Sequence, residues 1–152
     1  MRMRLSIAST FLLLAMSLLV ISPLPAPADE KIQKADAVLV IKSEKRLYLI
    51  RDGERYLSLP VTFGGNPKGH KQERGDQRTP EGHYILDYKN ANSKFYRSIH
   101  ISYPGQKDWL SARKSGVDPG GDIMIHGQTT GWEWASPLVQ LFSWTDGCVA
   151  LS

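Results

Sequence analysis

The chain has 152 residues, of which 41% are hydrophobic and 22% are charged, and its formal net charge is +4. This length is sufficient for one globular domain with a sizeable core. From residue 29 onward 17 Lys and Arg oppose 15 Asp and Glu, and so small a surplus argues against nucleic-acid binding.

The first 28 residues have the pattern of an export signal. Met1–Arg4 is a short cationic start, residues 5–21 form an apolar run, and Ala26-Pro27-Ala28 is a small-x-small cleavage pattern. An uncleaved membrane anchor is the alternative, because the apolar run is near the lower length limit for crossing a bilayer. Both interpretations predict that residues 29–152 form one domain in the periplasm or elsewhere outside the cytoplasm.

Most of this domain has the alternating apolar pattern of β-strands. Strands are predicted at residues 37–41, 46–50 and 56–61, with a turn at 42–45 and a second turn at Asp52-Gly53. Residues 64–81 are polar and rich in Gly and Pro, which predicts a long loop.

The pattern continues beyond the loop with strands predicted at 82–88, 97–103 and 122–126. A short helix is predicted over residues 108–115, and Ser136 is a plausible N-cap for a second helix of about two turns. The predicted fold class is therefore mainly β, with one or two short helices.

Cys148 is the chain's single cysteine and cannot form an internal disulfide. In an oxidising compartment its best explanation is nucleophilic chemistry, for which a nearby imidazole must accept the thiol proton. His126 ends an apolar strand beside Gly127, where a substrate backbone could approach. Gly147 leaves the approach to the thiol open, so the sequence predicts a dyad of Cys148 and His126 with the amides of residues 147 and 148 as oxyanion donors.

These residues resemble the signature of the L,D-transpeptidases of the YkuD type. In that family a histidine is followed, after a spacer, by Ser or Thr, a variable residue that is often His, Gly-Cys, a hydrophobic residue, and often Arg or Asn. The chain has His126-Gly127, a slightly long spacer, and Thr145 to Ala150 reading Thr-Asp-Gly-Cys-Val-Ala. The family's upstream Gly-Asp and Thr-Pro-x-Gly elements are matched by Gly75-Asp76 and residues 79–82. The resemblance covers the chain from about Ala37 to its end.

The resemblance implies an L,D-transpeptidase-like β-sandwich or barrel that acts on peptidoglycan stem peptides. Cys148 would attack the carbonyl of the third stem residue, expel the terminal D-alanine and form a thioester. The acyl group would then pass to an amine on a second stem, to an amine on an envelope lipoprotein, or to water. His126 would act first as base and then as acid, and no metal or organic cofactor would be needed.

Further site residues are predicted around the dyad. Gly127, Thr145 and Asp146 are candidate substrate-binding residues, with Thr145 shaping the site. Trp132 and Trp134 in the spacer are candidate aromatic walls for a peptide or a sugar, with ordinary packing as the alternative.

Two positions depart from the family pattern. Asp146 replaces a common histidine and would disfavour the thiolate unless turned outward or paired, whereas Ala150 replaces a cationic or amide residue that would hold a substrate carboxylate. Transfer and hydrolysis therefore both stay open.

The loop before Thr79 carries a cluster of cations. This cluster is expected to be a solvated loop face, with contact to an acidic substrate as the alternative; it consists of Lys68, Lys71, Arg74 and Arg78. Gly75-Asp76 and Thr79-Pro80 are expected to be structural turn elements, with a minor role in substrate positioning as the alternative. The remaining histidines, His70, His83 and His100, lack metal-ligand spacing with one another or with Cys148, so a zinc peptidase fits poorly.

Other functions weighed are a cysteine amidase that uses the same dyad on stem-peptide or lipoprotein links, and a non-catalytic wall-binding module in which Cys148 is an inert core residue. A sortase-like enzyme is less favoured, because the His-to-Cys spacing is short and no Arg follows the cysteine.

The only membrane tether expected is the N-terminal segment. Because related domains continue beyond the position of Ser152, the expectation is either an early closure of the domain or a truncated C-terminus.

Overall fold

The computed structural model describes residues 34–128 and 142–151. The predicted export signal at 1–28 and the predicted helix begun by Ser136 lie outside these residues. No helix among the described residues is long and apolar enough to cross a bilayer.

The described residues form seven strands and one α-helix, as the mainly β prediction requires. The strands are β1 (Ala37–Ile41), β2 (Arg46–Arg51), β3 (Glu54–Thr62), β4 (Leu86–Ser93), β5 (Tyr96–Ile101), β6 (Met124–His126) and β7 (Val149–Leu151), and the helix is α1 (Gln106–Ser115).

The strands form one curled sheet, a half-barrel, in the order β1-β2-β3-β7-β6-β5-β4. Neighbouring strands are antiparallel except β6 and β7, which are parallel. The last strand in sequence therefore lies inside the sheet, between β3 and β6. Because β6 and β7 run in the same direction, the residue that precedes β7 lies beside the start of the histidine strand.

The predicted turn at Asp52-Gly53 is confirmed. Both residues have positive φ, at 50° and 82°, and they connect the paired residues Arg51 and Glu54. Two left-handed residues match the twist of the flanking strands, which is why Gly is favoured at the second position.

Four predicted elements have different boundaries in the structure. The strand predicted at 82–88 begins only at Leu86 and runs to Ser93, because Tyr84 turns away to hydrogen-bond Asp108. Helix α1 begins at Gln106, two residues earlier than predicted, since the Asp108 carboxylate accepts the Gly105 N–H at 2.8 Å and caps the first turn. The next two strands are shorter than predicted, β5 ending at Ile101 and β6 beginning at Met124.

The hydrophobic core packs against one face of the sheet. Its buried residues include Val61 and Phe63 from the third strand and its extension, Ile125 from β6 and Val149 from β7. Successive side chains in a strand point to opposite faces. The opposite face of the central strands therefore carries Thr62, Ser98, His126 and Ala150, all at most 5% exposed.

Candidate active site

The strand register places His126 and Cys148 on the same face of adjoining strands. Ile125 pairs with Val149, and both belong to the core cluster. His126 follows Ile125 and Cys148 precedes Val149, so alternation directs both away from that core. The main-chain arrangement is the one that the predicted dyad needs, and the dyad itself stays a prediction.

The thiol of Cys148 is held by the backbone of the segment that leads into β6. The Met124 N–H donates to Sγ at 3.4 Å, and Sγ lies 3.7 Å from the Asp122 carbonyl oxygen, which accepts from the thiol. Burial raises the pKa of Cys148, Asp146 and Asp122 raise it further, and the Met124 N–H and Lys71 oppose the rise. The resting side chain is therefore a neutral thiol at neutral pH.

His126 is 3% exposed, and its tautomer is set by the next residue. Its Nδ1 lies 2.7 Å from the Gly127 carbonyl oxygen, which can only accept, so Nδ1 carries the proton and the acceptor lone pair is on Nε2. Burial lowers the pKa of His126, and the Gly127 hydrogen bond opposes this shift only in part. The ring is therefore a neutral imidazole with Nε2 able to accept a proton.

Two aromatic side chains hold the imidazole. Phe95 stacks on the His126 ring at 4.3 Å between centroids, and Trp144 contacts it edge-on at 5.9 Å. Phe95 lies in the turn between β4 and β5, and sequence patterns do not predict its contact with His126 because the two residues are 31 positions apart. A Cβ on Gly127 would lie 3.2 Å from the Phe95 carbonyl oxygen, so this glycine permits the turn to approach.

Thr145 shapes the cysteine turn through its hydroxyl group. Thr145 Oγ1 donates to the Cys148 carbonyl at 2.8 Å and accepts the Gly147 N–H at 3.2 Å. In this conformation the Gly147 N–H donates to a hydroxyl oxygen, so the predicted use of this amide as an oxyanion donor stays a prediction and requires this hydrogen bond to break. The Cys148 amide stays the candidate donor.

Two chain segments, at Gly64 and at Gln77–Arg78, pack directly against this turn. Gly147 has φ of 124°, and a Cβ there would lie 2.6 Å from the Arg78 carbonyl oxygen. A Cβ on Gly64 would lie 2.0 Å from the Gln77 carbonyl oxygen and 2.9 Å from the Gly147 nitrogen. Both positions require glycine, since real Cβ contacts are not this short. The predicted long loop at 64–81 is thus packed against the cysteine turn.

Lys71 corrects the prediction of a solvated cationic face. Its side chain is 3% exposed, and its Nζ donates to Asp76 Oδ1 at 2.7 Å and to the Glu73 carbonyl at 3.0 Å. The structural role predicted for Asp76 is confirmed, because its carboxylate also accepts backbone N–H groups of Gln72, Glu73 and Arg78. These donors lower the pKa of Asp76 to about 2, although burial opposes the shift as the largest single cause.

The two departures from the family pattern have different surroundings. Asp146 is exposed, so solvent reduces the effect of its charge on the thiol. Ala150 is 0% exposed and pairs with both Thr62 and His126, so a long cationic side chain at position 150 would enter a closed space. Trp132 and Trp134 lie outside the described residues.

We expect Asp146→Asn to lower the thiol pKa and to accelerate alkylation of Cys148 by iodoacetamide at pH 7 by about twofold to threefold, because it removes a negative charge near the sulfur. Intact-mass measurement over time gives the rate. Asp52→Asn is the matched control, since Asp52 lies in the β2–β3 turn and its side chain is 90% exposed. Equal rates in the parent and in Asp146→Asn would contradict an electrostatic effect of Asp146.

Comparison with known proteins gives one family. The model of the L,D-transpeptidase catalytic domain, YkuD, matches residues 35–152. The protein named "Putative L,D-transpeptidase YafK" in Escherichia coli K12 and the protein of the same name in Escherichia coli O157:H7 are each 31% identical over 96 residues, 59% of this chain and 37% of theirs. The solved structure of Bd1075 from Bdellovibrio bacteriovorus has 20% identity and a TM-score of 0.47, covering 74% of this chain and 38% of that one.

The aligned region is well under half the length of the two curated relatives. The family model, in contrast, covers most of the present chain, from the start of the sheet through the histidine strand to the cysteine turn. By that match, this chain belongs to the L,D-transpeptidase catalytic domain family.

Proposed function

We propose that the protein is an exported cysteine acyltransferase that acts on peptidoglycan stem peptides through a thioester on Cys148. The observation that supports it best is the register of β6 and β7, which brings His126 and the residue just before β7, Cys148, to one face, with the acceptor lone pair of the imidazole on Nε2. Family membership supplies the substrate class, and the residues supply the chemistry.

The first half of the reaction forms the acyl-enzyme. His126 Nε2 takes the thiol proton as Sγ attacks the carbonyl carbon of the third stem residue, and the carbonyl oxygen becomes an oxyanion near the Cys148 amide. The C–N bond to the terminal D-alanine then breaks, and the imidazolium returns its proton to the departing amine. A Cys148 thioester and free D-alanine result.

The second half releases the acyl group. An amine on a second stem or on an envelope lipoprotein attacks the thioester, His126 accepts the amine proton, and Cys148 leaves as the thiol. Water in place of the amine would give hydrolysis by the same residues. No step of this scheme requires a metal or an organic cofactor.

The protonation states favour attack coupled to proton transfer over a preformed ion pair. Burial raises the pKa of the Cys148 thiol and lowers the pKa of the His126 imidazole, so both shifts favour the neutral pair. The thiolate then forms only as the substrate carbonyl is attacked. A buried neutral thiol is also less exposed to oxidation outside the cell.

The proposal also concerns the location of the domain in the cell. Residues 1–28 act as an export signal or an anchor, and residues 29–152 act as the catalytic domain. N-terminal sequencing of the protein recovered from the cell envelope tests both statements, because retention of Met1 in a soluble envelope fraction would exclude a cleaved signal and an anchor together.

The purified domain incubated with disaccharide-tetrapeptide is expected to release D-alanine and to form a cross-linked dimer, and Cys148→Ala is expected to form neither. Mass spectrometry of the muropeptides gives the products. Free tripeptide without a dimer would identify a hydrolase. A Cys148→Ala variant that yields the parent's products, or that binds sacculi and restores a deletion phenotype as well as the parent does, would reject the cysteine mechanism.

A further inference from the structure

Lys71 is a buried cation in a loop whose composition would ordinarily keep it in solvent. Its side chain is 3% exposed, and its ammonium group pairs with Asp76 at 2.7 Å. Burying an ion pair requires desolvation of both charges, and apolar residues of similar volume often serve stability as well or better. Fold stability alone therefore does not explain the charge.

The pair is hydrogen-bonded to one backbone segment beside the nucleophile and lies next to a second. Asp76 Oδ1 also accepts the Arg78 N–H at 3.0 Å, and the Arg78 carbonyl packs against Gly147 so closely that a Cβ there would be 2.6 Å away. On the other side, a Cβ on Gly120 would lie 3.6 Å from Lys71 Cε. That segment continues to Asp122, whose carbonyl oxygen lies 3.7 Å from the Cys148 sulfur.

The charges around the thiol are mostly unfavourable to a thiolate. Asp122 and Asp146 oppose ionisation of Cys148, and buried His126 is neutral at rest. Lys71 acts in the opposite direction. Its charge therefore offsets part of the effect of the two carboxylates as the sulfur becomes negative during attack.

We propose that the Lys71–Asp76 pair positions Cys148. The pair fixes the two backbone segments beside the nucleophile, and it holds a buried positive charge that stabilises the Cys148 thiolate. The inference rests on the proposed function in taking Cys148 as the nucleophile. Lys71 does not touch the reacting atoms. It acts through its field on the sulfur and through Asp76 on the turn that contains Gly147.

The test is the pH profile of Cys148 alkylation by iodoacetamide, followed by intact-mass measurement. Lys71→Met is expected to move the midpoint of the profile upward by roughly 0.7 pH unit and to slow alkylation at pH 7 about fivefold, because it removes a nearby positive charge and leaves the Asp76 carboxylate uncompensated. Lys71→Arg keeps the charge and is expected to stay within about twofold of the parent. The matched control is Arg74→Met, which removes a 70% exposed cation from the same loop and is expected to leave the profile unchanged.

Lys71→Met leaves Asp76 buried without its cation and could unfold, so a charge-balanced variant is measured beside it. Lys71→Met with Asp76→Asn removes both charges, which avoids an uncompensated buried carboxylate. Its profile is expected to shift upward by less than that of Lys71→Met, because no uncompensated carboxylate remains. A folded charge-balanced variant with the parent's profile would overturn the proposal, as would an equal shift in Arg74→Met.

The alkylation assay contains no peptidoglycan, so its result is separable from the proposed function. A shifted profile in an enzyme that forms no muropeptide product would support the role of Lys71 and reject the transferase. A parent that forms the expected products while every Lys71 variant keeps the parent's profile would support the transferase and reject the positioning role of the Lys71–Asp76 pair.

Discussion

Replacement of His126 by Asn is expected to slow acylation of Cys148 by a carbapenem at pH 7 at least about 100-fold, because the variant loses the general base. The Asn side chain can still donate a hydrogen bond toward the Gly127 carbonyl, as Nδ1 does in the parent. The variant therefore removes the basic nitrogen Nε2 while retaining part of the local structure. Intact-mass measurement of the adduct over time gives the rate.

Two comparisons make the His126 result specific. Alkylation by iodoacetamide at a pH above the thiol pKa needs no base, so His126→Asn and the parent are expected to react at similar rates there. His83→Asn is the matched control, because His83 is exposed and is outside the proposed dyad. Carbapenem acylation of His126→Asn at the parent's rate would remove His126 from the mechanism.

Gly64→Ala is expected to lower the free energy of unfolding by about 3 kcal/mol, since overpacking against backbone cannot be relieved by a side-chain movement. The added methyl would lie 2.0 Å from the Gln77 carbonyl oxygen and 2.9 Å from the Gly147 nitrogen. Both contacts are made by main-chain atoms of the segments that pack against the turn before Cys148. Chemical denaturation monitored by tryptophan fluorescence gives the difference.

The control for this variant is another glycine-to-alanine change in a roomier place. A Cβ on Gly121 would meet its nearest atoms, Pro104 Cδ and the Tyr103 carbonyl oxygen, at 3.8 and 3.9 Å. Gly121→Ala is therefore expected to change the free energy of unfolding by no more than about 0.5 kcal/mol. Equal decreases in the free energy of unfolding of the two variants would show that the close main-chain contacts at Gly64 are not the cause.

Local patterns were sufficient for most of the strands. The first three strands, their turns and the mainly β class follow from alternation and turn chemistry, which act between residues close in sequence. Boundaries were less predictable where a distant partner intervenes. The strand predicted from Gly82 begins only at Leu86, because Tyr84 hydrogen-bonds Asp108, 24 residues away.

The candidate site divides in the same way. Cys148 and His126 could be selected from the sequence because a lone thiol and a histidine beside glycine have few ordinary uses together in a protein with a predicted export signal. Lys71 could not be selected from the sequence, because its neighbours in sequence are polar and indicate a solvated loop. Only the folded chain places Asp76 and the 118–122 segment around it.

By itself, the sequence determined the mainly β class, the family resemblance and the identity of the proposed nucleophile and base, since all three depend on residue type and short spacing. Tertiary structure alone decided that β7 lies between β3 and β6, that Phe95 stacks on His126, and that the Gly147 amide is taken by Thr145. The sheet order and the Phe95 stack join segments far apart in the chain, and the amide's partner depends on how the cysteine turn closes in the folded chain. Residue type and spacing do not specify such arrangements, because they are chosen by the packing of the whole domain.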